Sequence, residues 1–202
     1  MATKKTKAAP ALRLVKKPAT DTIYQLKIVL GGVSPQVWRR VLVPGSIRLS
    51  ELHDVIQIVM GWEQAHLHEF EIGGEIYGEP DPDGLNERPI KDEHKVRLAQ
   101  LVQAPKDRFG YLYDFGDSWQ HIITVEKILP HDAGPYPVCT AGKRNRVPED
   151  CGGLPGHRNL LQVLKDPKHP EHAAMLNWLG GSYAPEHFDI DGINQVLSAL
   201  TA

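Results

Sequence analysis

The sequence predicts an α+β fold: one domain with a largely antiparallel sheet, one helix between early strands and a C-terminal helical segment. Three observations carry this expectation. Two-residue alternation recurs through the first 130 positions, and a single 12-residue stretch at 49–60 breaks it with helical spacing. Helical patterns then close the chain after about residue 157. No strand–glycine-rich loop–helix unit occurs, which disfavours a dinucleotide fold or a phosphate-binding loop.

Taken in order, residues 22–30 alternate and are rich in β-branched side chains, which predicts a strand. Gly31 to Pro35 form a turn, and Val37 to Val43 a second strand, expected to pair antiparallel with the first. At 49–60, Leu49, Leu52, Val55, Ile56, Val59 and Met60 fall on one helical stripe. Ser46 or Ser50 is the expected N-cap and Gly61 the C-cap. Residues 66–72 return to alternation, with His66, His68, Phe70 and Ile72 on one face, and Gly73-Gly74 turns the chain into 75–77. Residues 78–95, rich in Pro, Asp, Glu and Gly, read as an exposed loop. One or two helical turns are expected at 97–103.

Strands at 109–115 and 119–128 form a hairpin around Gly116-Asp117. Gly first in a two-residue loop suits a type II′ turn. In that register Phe115 pairs with Ser118, Asp114 faces Trp119 and Leu112 faces His121. Residues 130–158 read as a long loop holding both cysteines, Cys139 and Cys151. Helices are expected at 157–165, at 170–179 with Pro170 in the first turn, and at 189–200 with Asp189 as N-cap.

The 202 residues carry a net charge of −2, unevenly spread. Residues 1–20 hold six basic residues and no acid, whereas the rest holds 17 basic and 25 acidic residues. The first 20 residues are therefore expected to be a disordered basic tail, and 21–202 the folded domain. An acidic body is a poor nucleic-acid surface, so polyanion contact is expected only nonspecifically, through the tail. No apolar run approaches the ~18 residues of a membrane span, and the start lacks a secretory signal core. A cytoplasmic location and reduced cysteines are the defaults.

Four groups of residues could carry chemistry. His66 and His68, at i and i+2 on a strand, point the same way, a spacing that suits two ligands of one ion. Asp114 and His121 share a face across the hairpin, and the three histidines with Asp114 would suit zinc or another divalent metal. Tyr113, Asp117 and Trp119 would line the pocket, although Asp117 also has an ordinary turn role. In Pro148 to Gly153, Glu149, Asp150 and Cys151 would deliver a ligand, a general base or a nucleophile from a bent loop; the plain alternative is a structural turn. Trp38, Arg39 and Arg40, with Trp62 and Trp119, could stack bases or serve as core and rim of the sheet.

Six segments occur together in order: VWRRVLVP (37–44), LSELHDVIQIVMGW (49–62), HLHEFEI (66–72), YDFGDSWQH (113–121), PEDCGG (148–153) and DPKHPEH (166–172). In these the chain resembles the plasmid pRiA4b ORF-3-like family. The resemblance spans about residues 22–200. It implies a single α+β domain with no assigned biochemical activity and an association with mobile elements, though no helix-turn-helix or serine-recombinase pattern is present. The resemblance implies a third cysteine just before PEDCGG in many relatives, where this chain has Arg146 and Val147. A metal here would lean on histidine and carboxylate instead of three thiolates.

The expected function is a binding module with a polar or metal site at His66, His68, Asp114 and His121. Two alternatives stand beside it. One is a metal-assisted hydrolase of phosphoesters or amides, with Glu149 or Asp150 as general base. The other is a nucleic-acid accessory protein of mobile-element origin.

Overall fold

Alternation becomes strand in a computed structural model that describes residues 22–80 and 88–200. The basic tail at 1–20 lies outside the described residues. Strand β1 (Thr22–Leu30) pairs antiparallel with β2 (Trp38–Pro44), Leu26 opposite Val41. Helix α1 (Leu49–Met60) buries the expected stripe and ends at Gly61, whose φ of 82° lets its N–H reach Gln57 O. Its N-cap is Arg48, not Ser46 or Ser50. Arg48 is held extended by a bridge to Arg97, and the Glu51 carboxylate accepts its N–H at 2.8 Å.

Strands β3 (His68–Ile72) and β4 (Glu75–Gly78) turn at Gly73-Gly74, both with positive φ. Segment 78–95 is not all loop. Lys91–Asp92 forms β5, parallel to β4, and a 3-10 turn at Glu93–Lys95 follows. A two-residue strand is too short to show periodicity, which is why the polar composition misleads. Helix α2 (Leu98–Leu101) leads to β6 (Arg108–Tyr113) and β7 (Trp119–Pro130).

The long loop expected at 130–158 contains another strand, β8 (Val138–Lys143), on the edge of β2. Its small residues hide it. Gly142 is required there, because a Cβ would lie 2.4 Å from the Phe188 ring. Helices α3 (Gly153–Lys165), α4 (His172–Trp178) and α5 (Ile190–Ala199) complete the fold, with Asp189 capping α5 through Gly192 N–H.

The eight strands lie in the order β5-β4-β3-β6-β7-β1-β2-β8, antiparallel except for β4–β5. The domain is α+β, as expected. One face of the sheet is buried. Leu26, Ile28 and Leu30 of β1 line up with Val125, Ile123 and His121 of β7, and α1 lays its stripe over them in one core. Truncating a side chain such as Leu52 or Phe70 in this core would cost about 2–5 kcal/mol. On the other face Arg40 makes a two-pronged ion pair with Glu126 at 2.6 and 2.9 Å. Among the described residues no helix is long and apolar enough to cross a membrane.

Candidate functional site

The hairpin does not turn at Gly116-Asp117 alone. Tyr113 pairs with Trp119 and Tyr111 with His121, so the register is one residue off the expected one and Asp114 to Ser118 form the loop. Asp114 and Ser118 both take φ of 56°, and Ser118 N–H bonds to Asp114 O at 2.7 Å. The Asp114 carboxylate accepts the N–H groups of Gly116 and Asp117 at 2.9 and 3.2 Å. An aspartate that satisfies its own turn ends the ladder early. Asp114 thereby leaves the sheet, while Trp119 and His121 stay on the buried face.

His121 is a core residue. Trp62 Nε1 donates to His121 Nε2 at 3.2 Å, so His121 Nδ1 carries the proton and donates to Tyr111 O at 3.3 Å. Burial lowers its pKa to about 4. Neither ring nitrogen is left for an ion.

His68 opens β3 and faces a different set of partners. Its Nε2 lies 2.9 Å from the Glu93 carboxylate, which is only 2% exposed. Its ring stacks on His53 with centroids 3.5 Å apart. His53 Nδ1 lies 2.8 Å from the Tyr111 hydroxyl, to which Gln57 also donates at 2.9 Å. Burial, with His68 nearby, lowers the His53 pKa to about 3. Nearby, Glu79, Glu93 and His94 are a second group with donor atoms within 4.8 Å of one another.

His66 sits before β3 in a bend, not within the strand. Its Nε2 lies 3.0 Å from Asp150 Oδ1, 3.6 Å from Glu149 Oε1 and 3.8 Å from Asp114 Oδ2. Of the expected four, the fold therefore brings together His66 and Asp114 but not His68 or His121. It adds Glu149 and Asp150, which the sequence marked as a loop contribution.

Two of the three carboxylates, Asp114 and Glu149, are held from behind, whereas Asp150 is exposed. Tyr113 donates its hydroxyl to Glu149 Oε1 at 2.7 Å and accepts Ala65 N–H at 3.1 Å, while Glu63 N–H reaches Glu149 Oε2 at 3.1 Å. Burial and the Glu149 contact raise the Tyr113 pKa, so its proton stays on. Asp117 Oδ2 accepts Gly152 N–H at 3.0 Å, which ties the hairpin loop to the Pro148–Gly153 loop. That second loop bends through positive φ at Asp150, Gly152 and Gly153.

The remaining candidates are placed elsewhere. Cys139 is buried in β8, Cys151 is half-buried, and both are free thiols. Burial, reinforced by Asp117, pushes the Cys151 pKa up to about 12, so a thiolate nucleophile is disfavoured. Trp62 and Trp119 pack together in the core with centroids 5.5 Å apart and cannot stack bases. Trp119 Nε1 has no hydrogen-bond partner among the described residues.

Donor chemistry and spacing at His66 suit a divalent ion. Ligands about 2.1 Å from a common ion lie roughly 3.0–3.4 Å apart, and the donors of His66, Asp114 and Asp150 all fall within 4.8 Å of one another. Sequence reasoning missed Glu93 and His53. Arg39 was named in the sequence, and it stands at an inward position in the alternation of β2.

A family model described as plasmid pRiA4b ORF-3-like protein matches residues 22–192. The chain is 38% identical over 183 residues to the uncharacterized protein y4hQ of Sinorhizobium fredii (strain NBRC 101917 / NGR234), covering 90% of this chain and 93% of the relative. It is similar to the crystal structure of a protein of unknown function, MM3350, from Methanosarcina mazei Go1. That match has a TM-score of 0.76 and 40% identity, and covers 85% of this chain and 97% of the other. With a matching family model over most of its length and relatives at this identity, the chain belongs to the plasmid pRiA4b ORF-3-like family.

Proposed function

We propose that the domain is a binding module whose site, formed by His66, Asp114, Glu149 and Asp150, takes a divalent cation such as zinc. One observation carries this reading. The Asp114 and Glu149 side chains are each only 10% exposed and converge on one imidazole. Among the described residues no lysine or arginine forms an ion pair with Asp114, Glu149 or Asp150. Three carboxylates around one imidazole leave a net negative charge even with the ring protonated, and a bound divalent ion would relieve the repulsion. Tyr113 would orient Glu149, and the Asp114 turn contacts would fix its second oxygen toward the ion.

The test uses untagged full-length protein stripped of metal and titrated with zinc or manganese. One equivalent is expected to bind. His66→Gln and Asp114→Asn should each weaken binding at least tenfold while the circular dichroism spectrum is unchanged. Less than a tenth of an equivalent after zinc addition would sink the proposal.

A hydrolytic reading is favoured by one further observation. Asp150 is 70% exposed and borders two clefts, of about 380 and 330 Å³, that also share Trp178. A bound cation there would supply activated water. Glu149 is a poor general base, because both its oxygens already accept protein hydrogen bonds. Asp150 is the better candidate. Metal-dependent cleavage of a phosphoester or amide substrate that Asp150→Asn abolishes, with metal still bound, would support this reading. No turnover across both substrate classes would reject it.

A further inference from the structure

Arg39 is an arginine in a core position. It shares the buried face of β2 with Val41 and Val43 and is 2% exposed. Its Nε donates to Val59 O at 2.7 Å, one of the terminal carbonyls of α1, and its Nη1 donates to Trp38 O and Lys143 O, both at 2.9 Å. Its Nη2 has no hydrogen-bond partner among the described residues, and no carboxylate pairs with the guanidinium. Backbone carbonyls solvate the cation only partly, and burial accordingly lowers its pKa to about 10. The Phe188 ring lies 4.7 Å from its guanidinium carbon.

This guanidinium lines a cavity of about 510 Å³ between the end of α1 and the start of α5. Arg144 and Arg146 line it too. Arg144 is 8% exposed and pairs with Glu186, and Arg146 lies 3.4 Å from Glu63. Neither acid faces the cavity, and Asp189, the acid that does, is occupied in capping α5. Asn145 and His187 add polar groups, and the rest of the wall is mainly apolar, with Ile58, Trp62, Phe188, Ile193 and Val196 prominent. The volume falls in the range of small-molecule sites, roughly 300–1,000 Å³.

We infer that this cavity binds a small organic anion with an apolar body, its charged head held by Arg39 and Arg144 and its body against Phe188 and Trp62. The guanidinium fork suits an oxyanion head, and Nη2 is the donor left to meet it. The site shares no residue with the His66 cluster, so its occupancy is independent of the metal reading.

The probe is 8-anilinonaphthalene-1-sulfonate, titrated into the full-length folded protein by fluorescence, with neutral N-phenyl-1-naphthylamine as the uncharged comparison. The expected result is saturable binding of one sulfonate dye, with the neutral dye at least tenfold weaker. Val196 is 53% exposed on α5, so its replacement leaves the core intact. Val196→Glu, which sets a carboxylate at the mouth, should weaken the sulfonate dye at least tenfold, and Val196→Gln less than threefold. Arg39→Lys should also weaken it; if that variant does not fold, the Val196 pair decides. Absence of saturable binding, equal binding of the two dyes, or equal effects of the two Val196 variants would overturn the inference.

Discussion

Trp62 Nε1 donates to His121 Nε2 at 3.2 Å, and that bond fixes the tautomer of a fully buried histidine. The acceptor nitrogen must stay unprotonated for the indole to be satisfied. A ring that looks like a metal ligand in the sequence is thus committed to the core.

The first prediction is a pH dependence of stability. The folded pKa of His121, about 4, lies below its ordinary value of 6.5, so the unfolded chain takes up a proton first. The stability tied to neutral His121 is full above about pH 6.5 and is lost as pH falls toward 4, on the order of 3 kcal/mol. His53, lowered to about 3, extends the loss in the same direction. Urea unfolding at pH 7.5, 6, 5 and 4 should show this fall, and His121→Gln should flatten it. Equal slopes for the two proteins would contradict the assignment.

A second prediction concerns His68 and Glu93. Removing either partner of a buried pair strands the other, so His68→Leu is expected to cost about 3–5 kcal/mol. The double variant His68→Leu with Glu93→Leu should recover most of that loss, since the carboxylate stranded by the single variant is gone. Chemical denaturation of the two single variants and the double variant measures the coupling. Additive losses would show that the two side chains act separately.

The third prediction tests the loop that carries Asp150. Gly153 has φ of 64°, and a Cβ there would lie 2.8 Å from Asp117 O. Gly153→Ala should destabilise the protein by about 1–2 kcal/mol through the left-handed backbone alone, and more if Asp117 cannot move. Because Asp117 also holds Gly152, the same variant should weaken zinc binding. Unchanged melting and unchanged affinity together would mean the two loops are not coupled.

Metal linkage supplies a fourth. If the His66 cluster binds an ion, free metal at 100 times its dissociation constant should stabilise the domain by about 2.7 kcal/mol, reversed by a chelator. Asp114→Asn keeps an oxygen for the Gly116 and Asp117 N–H groups and removes the charge, so it should fold yet lose this stabilisation. A full metal-induced shift in Asp114→Asn would exclude Asp114 as a ligand.

Periodicity was readable in most long elements, though α3 starts at Gly153, four residues before the expected 157 and within the segment read as loop. Helix α1 at 49–60 and strand β1 at 22–30 match their predicted bounds, because each repeats its burial period several times. Strands β5 and β8 were hidden, one by its two-residue length and the other by its small residues, among them the Gly142 that leaves room for Phe188. In the site, His66, Asp114, Glu149 and Asp150 were all marked in the sequence, and so was Tyr113. Their grouping was not. A one-residue shift at the hairpin, driven by the Asp114 side chain bonding its own turn, moved Asp114 toward His66 and left His121 in the core.

The α+β class, the order of most elements and the family resemblance all followed from the sequence, since hydrophobic period and turn chemistry are local properties of the chain. Which histidine meets which carboxylate was decided only by the tertiary structure. Side-chain partnership depends on register and on loops such as 148–153 folding back against 114–118, and these are long-range contacts that no local pattern encodes.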